Sequence, residues 1–83
     1  MINVKMHSIN TEPSIVTMKN VYEDDAKWIN ENDVSIEMEC LSGIYVVYGE
    51  CNDNKHIVTD NGRTCEETIK DLVQRMKYDS SRI

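Results

Sequence analysis

The sequence predicts an α+β domain, and three observations carry that prediction. The stretch Asp33 to Cys51, DVSIEMECLSGIYVVYGEC, alternates apolar and polar residues about a central Ser-Gly pair, the pattern of a half-buried β-hairpin. A further β-rich run, HIVT at 56–59, follows after a turn-forming composition. Two capping-box pairs, Asn20 with Glu23 and Thr64 with Glu67, each open a segment whose apolar residues recur at helical spacing. At 83 residues the chain is long enough for one domain, 1–83, of two layers. The expected architecture is an antiparallel sheet with a three-stranded core and extra N-terminal strands, covered on one face by two helices, in the order (β)-α-β-β-β-α.

At the N-terminus Ile2, Val4 and Met6 alternate with Asn3 and Lys5, which predicts a short strand. SIVTMK, Ser14 to Lys19, is a second β-rich run, and Pro13 stands where a strand tolerates proline, so the two runs are expected to form a loose hairpin. The first helix is expected to start at the Asn20 box, with Glu23, Asp24 and Asp25 in the turn where carboxylates favour the helix dipole. Tyr22, Ala26 and Ile29 then mark its buried face with Trp28 at the edge, and NEND at 30–33 stops it after about three turns.

In the hairpin, Ser42-Gly43 is a tight turn that pairs Leu41 with Ile44. Counting outward places Cys40 opposite Tyr45, Met38 opposite Val47, Ile36 opposite Gly49 and Val34 opposite Cys51 on the core face. The other face pairs Glu39 with Val46, Glu37 with Tyr48 and Ser35 with Glu50, so it is acidic around a tyrosine and a valine. NDNK at 52–55 is read as a turn, HIVT as the third strand, and DNG at 60–62 as its end. Cys65, Ile69, Leu72, Val73 and Met76 define the buried stripe of a second helix from Thr64 to about Tyr78, after which DSSRI is expected to fray.

Nine basic residues against fifteen acidic ones give a formal charge of −6, which opposes approach to phosphate backbones and anionic membranes. Direct nucleic-acid or membrane binding is therefore not expected. No apolar run approaches the roughly 18 residues of a membrane span, and MINVKMHSINTE has neither the basic start nor the apolar stretch of a signal peptide. With three cysteines, an odd number without close pairing, the chain is expected to be cytoplasmic with free thiols.

Cys40, Cys51, His56 and Cys65 have the chemistry of zinc ligands, but no Cys-x-x-Cys clip joins them and three lie on predicted core positions, so neither metal nor cofactor is expected. His7 and His56 lie in no nucleophile-and-base motif, and Glu37 and Glu39 project from a sheet face with no evident cleft, so the chain is not expected to be an enzyme. What remains is the outer face of the hairpin. Glu37, Glu39 and Glu50 form a carboxylate rim around Val46 and Tyr48, the layout of a partner-binding patch, although the same carboxylates would also serve simply to solvate the sheet.

The order helix, three strands, helix over Asn20 to Tyr78 resembles the topology of double-stranded-RNA-binding domains. Where that family places phosphate-gripping lysines, this chain reads TCEETIK, with Glu66 and Glu67 at the key positions, so RNA binding does not carry over. In size, acidity and α+β build the chain also resembles the small proteins with which bacteriophages block host enzymes, anti-CRISPR proteins among them. That resemblance implies a protein-binding module, a phage-type inhibitor or regulator, whose partner is a basic nucleic-acid-handling host protein. The alternative expectation is a structural module that self-associates through an exposed edge strand.

Overall fold

The computed structural model describes residues 1–7, 12 and 14–81, with side chains as far as residue 79. Along the chain run β1 (Ile2–His7), β2 (Ser14–Met18), α1 (Glu23–Glu31), β3 (Ser35–Leu41), β4 (Ile44–Cys51), β5 (Asn54–Thr59) and α2 (Cys65–Ser81). Pro13 and residues 82–83 of the expected frayed tail lie outside the described residues. The rest of that tail is helical, since α2 continues through Ser81.

The β3–β4 hairpin has the register read from its alternation, from Leu41 opposite Ile44 to Ser35 opposite Glu50. Its turn needs positive φ twice, at Ser42 (51°) and Gly43 (79°), as a twist-matched two-residue turn requires. The β4–β5 turn is equally tight. Asn52 (φ 50°) and Asp53 (69°) both take the left-handed conformation that short polar side chains tolerate, so Asn54 and Lys55, expected in the turn, are already paired as strand.

Among the described residues the sheet has five strands, in the order β2-β1-β3-β4-β5. Its β3-β4-β5 part is antiparallel as expected, but β1 pairs in parallel with β3, placing Lys5 beside Glu37 and His7 beside Glu39. The sheet is therefore mixed rather than antiparallel. The cause is topological: α1 carries the chain from the outer strand β2 back over β1, so that β3 enters beside β1 running the same way.

Both helices pack on one face. Val4, Ile36, Met38, Val47 and Val58 from the strands form one core with Ala26 and Ile29 of α1 and Ile69, Leu72, Val73 and Met76 of α2. α1 starts later than the Asn20 pattern predicts. Tyr22 is the N-cap, its carbonyl accepting from the Ala26 N–H at 2.9 Å, and its side chain makes no cap hydrogen bond. Val21 takes the buried position expected of Tyr22, which is 44% exposed with the Lys70 ammonium 4.7 Å from its ring centre. The second box forms as read: Glu67 N–H donates to Thr64 Oγ1 at 3.2 Å and Thr64 N–H to Glu67 Oε1 at 3.3 Å. Among the described residues no helix is long and apolar enough to cross a membrane.

Candidate functional site

Among the described residues no element covers the face of the sheet opposite the helices. Paired residues share a face, so the ladders set side chains in rows across the five strands. One row runs Ile15, Lys5, Glu37, Tyr48, Ile57; the next holds His7, Glu39, Val46 and Thr59; a third includes Ser35, Glu50 and Lys55. Leu41 and Ile44 face each other at the hairpin end of the same surface. The five residues singled out in the sequence, Glu37, Glu39, Val46, Tyr48 and Glu50, thus stand together on this face.

Tyr48 is its fixed point. Its hydroxyl donates to Glu39 Oε2 at 2.9 Å, and that bond first, then burial and the charges of Glu39 and Glu37, hold the phenol above the usual tyrosine range. Beside the ring lies a depression of about 190 Å³, lined by Ser35, Glu37, Tyr48, Gly49, Glu50, Lys55 and Ile57. Glu37 has Lys5 Nζ 3.9 Å from one oxygen and His7 Nε2 3.7 Å from the other. Glu50 faces Lys55 across the ladder.

The whole face is therefore less acidic than its central hairpin. Lys5 and Lys55 offset two of the three carboxylates because β1 and β5 flank the hairpin and place opposite charges across from it. It is also more apolar, since Ile57 (61% exposed), Ile44 (50%) and Leu41 (40%) join Val46 and Tyr48. Sequence reasoning missed Ile57 and Lys55 because it read all four residues of NDNK as turn. Treating Asn52-Asp53 as a two-residue turn would have fixed the β5 register and brought both residues onto this face.

The other residues considered for chemistry are dispersed or structurally engaged. Cys40 is on β3, Cys51 ends β4 and Cys65 opens α2; all three are free and half-buried. The Cys51 thiol donates to the Asn32 carbonyl at 3.4 Å, and His56 pairs through Nε2 with Asp79 Oδ2 at 2.9 Å. Burial first, and then the charges of Asp60 and Glu66, push the Cys65 thiol above its ordinary range, although it stands at a helix start. Among the described residues no three His, Cys, Asp or Glu side chains are placed to hold a metal ion.

A polar latch closes the end of β5. Asp60 is 8% exposed and accepts from the Tyr45 and Gly62 N–H groups at 3.2 and 3.3 Å. Arg63 donates to the Thr59 carbonyl at 2.9 Å and to Asp71 Oδ2 at 3.1 Å, and Arg75 donates to Asp71 Oδ1 at 3.2 Å. These groups bind the chain to itself. No family model, no curated protein and no solved structure matches this chain.

Proposed function

We propose that the chain is a protein-binding module that docks its partner on the open face of the sheet, acting as a phage-type inhibitor or regulator of a nucleic-acid-handling protein. The observation that carries this reading is the apolar band of exposed Leu41, Ile44 and Ile57 with half-buried Val46 and Tyr48, set among charges of both signs on a face that no helix covers among the described residues. An apolar centre with a polar rim is the build of a recognition surface, and a tyrosine held by its own hydrogen bond meets a partner with little loss of side-chain freedom. The partner class rests on charge and size. A net charge of −6 on 83 residues draws in a basic surface from a distance, and proteins that handle nucleic acid present such surfaces.

Kinetics on a partner captured from host lysate test the proposal. Tyr48→Ala is expected to speed dissociation roughly tenfold or more with little change in association. Glu37→Lys with Glu50→Lys, which leaves the Tyr48–Glu39 hydrogen bond in place, is expected to slow association and to weaken or reverse its dependence on salt, because rim charges act mainly on the encounter. Folded variants that bind at unchanged rates would show that this face only solvates the sheet.

A further inference from the structure

The two edges of the sheet are built differently. β5 carries Lys55, its His56 is tied to Asp79 of α2 at 2.9 Å, and α2 packs against it. Charge and cover are two ways in which edge strands avoid pairing with other chains. β2 has neither. It reads SIVTM, without a charge or an internal proline, with three β-branched residues in succession, and Ile15 is 66% and Val16 42% exposed. Among the described residues its only ladder partner is β1, so the outward-facing half of its backbone N–H and C=O groups lines the edge.

We propose that β2 pairs antiparallel with β2 of a second copy of this chain, about a twofold axis through Val16, joining two five-stranded sheets into one. An isologous pair must satisfy both copies with one contact set, and this strand does so. A twofold axis perpendicular to the sheet keeps the open faces on one side and requires partners of equal parity along the strand. Centring on Val16 uses the whole strand: Val16 meets Val16, Ile15 meets Thr17 and Ser14 meets Met18. No charge is buried and no like charges face each other. Two chains of charge −6 repel in most orientations, but here the strand is uncharged, Lys5 lies beside Ile15, and Glu12 and Lys19 flank it with opposite signs. Five strand residues bury less than the roughly 800 Å² per partner of a standard interface, so the dimer is weak and concentration-dependent. Pairing does not cover Tyr48, so the joined sheet presents two docking faces side by side, and the dimer stands or falls independently of what those faces bind.

Sedimentation equilibrium of the full chain, from low micromolar to near-millimolar at moderate salt, reads this directly. The 9.6 kDa chain is expected to pass from monomer towards dimer across that range. Ile15→Lys with Thr17→Lys sets like charges opposite each other twice in the proposed register and is expected to weaken association about tenfold or more. Ile15→Glu with Thr17→Glu should do the same. An equal mixture of the lysine and glutamate variants is expected to associate again, a rescue that general damage to the fold does not produce, and circular dichroism of each variant checks that the fold is kept. A wild-type chain that stays monomeric, a lysine variant that associates as well as wild type, or a mixture that stays apart would overturn the proposal. So would a dimer broken by Ile57→Lys on the open face and unaffected by changes in β2.

Discussion

At the scale of single residues, Gly49 shows how closely the two layers meet. A Cβ there would lie 2.8 Å from Met76 Sδ, 3.0 Å from Leu72 Cδ2 and 3.3 Å from Leu72 Cγ, and Leu72 has no exposed surface into which to retreat. Gly49→Ala is therefore expected to cost about 1–3 kcal/mol through overpacking, read as a lower urea midpoint. A loss below about 0.5 kcal/mol would mean that α2 lifts from β4 without resistance. The alternation of the hairpin placed Gly49 on the core face opposite Ile36, but it carried no sign of which helix would rest there, because that depends on contacts far along the chain. Tyr22 shows the opposite limit. An aromatic residue at helical spacing reads as core, yet Val21, its neighbour, fits the buried position while Tyr22 caps the helix through its backbone. Periodicity resolves a face and leaves a one-residue choice to packing.

At the scale of elements, α2 was legible because every local signal agrees. A reciprocal cap at Thr64 and Glu67 precedes a stripe at 69, 72, 73 and 76, and all four of those side chains are at most 3% exposed. α2 also packs against β4, β5 and α1, so it joins the sheet to the first helix. Leu72→Ala is expected to cost about 2–5 kcal/mol, since it removes a fully buried side chain and leaves a cavity between α2 and β4. Chemical denaturation showing less than about 1 kcal/mol would mean the core closes over the gap. The β3–β4 hairpin was equally legible, since a two-residue turn and a period of two determine its register together. The N-terminal strands were legible as a hairpin of β1 with β2, which forms, but not in their place in the sheet. Pairing β1 with β3 is a contact across more than 30 residues that includes another strand and a helix, and nothing in either segment's own pattern encodes it. The β1 side of the candidate site was hidden for the same reason, since Lys5 and Ile15 join the hairpin's open face only through that pairing.

At the scale of the whole molecule, the acidic balance and the paired carboxylates act on stability in opposite directions. A chain of charge −6 and isoelectric point near 4.7 sheds self-repulsion as pH falls from neutral towards that point, which favours the compact state. Below it, specific interactions are lost. Burial pushes the Asp71 carboxyl upward, but hydrogen bonds and charge from Arg75 and Arg63 outweigh burial and hold it below the usual aspartate range. Glu67 is lowered chiefly by the Thr64 N–H, then by the Thr64 hydroxyl. For groups depressed in the folded state, the stabilisation is present in full above the unfolded-state pKa and disappears as pH falls through the folded-state pKa. The window therefore opens at about pH 4 and extends downward. Urea midpoints measured from neutral to about pH 2 are expected to hold or rise slightly at first and then fall below about pH 4. Asp71→Asn should be less stable than wild type at neutral pH, because Arg63 and Arg75 lose their shared anion between the end of β5 and α2. The difference between the two proteins should shrink as the wild-type carboxyl takes up its proton. A gap that stays constant down to about pH 2 would mean that Asp71 contributes through shape and hydrogen bonding alone, and that the latch between β5 and α2 does not depend on its charge.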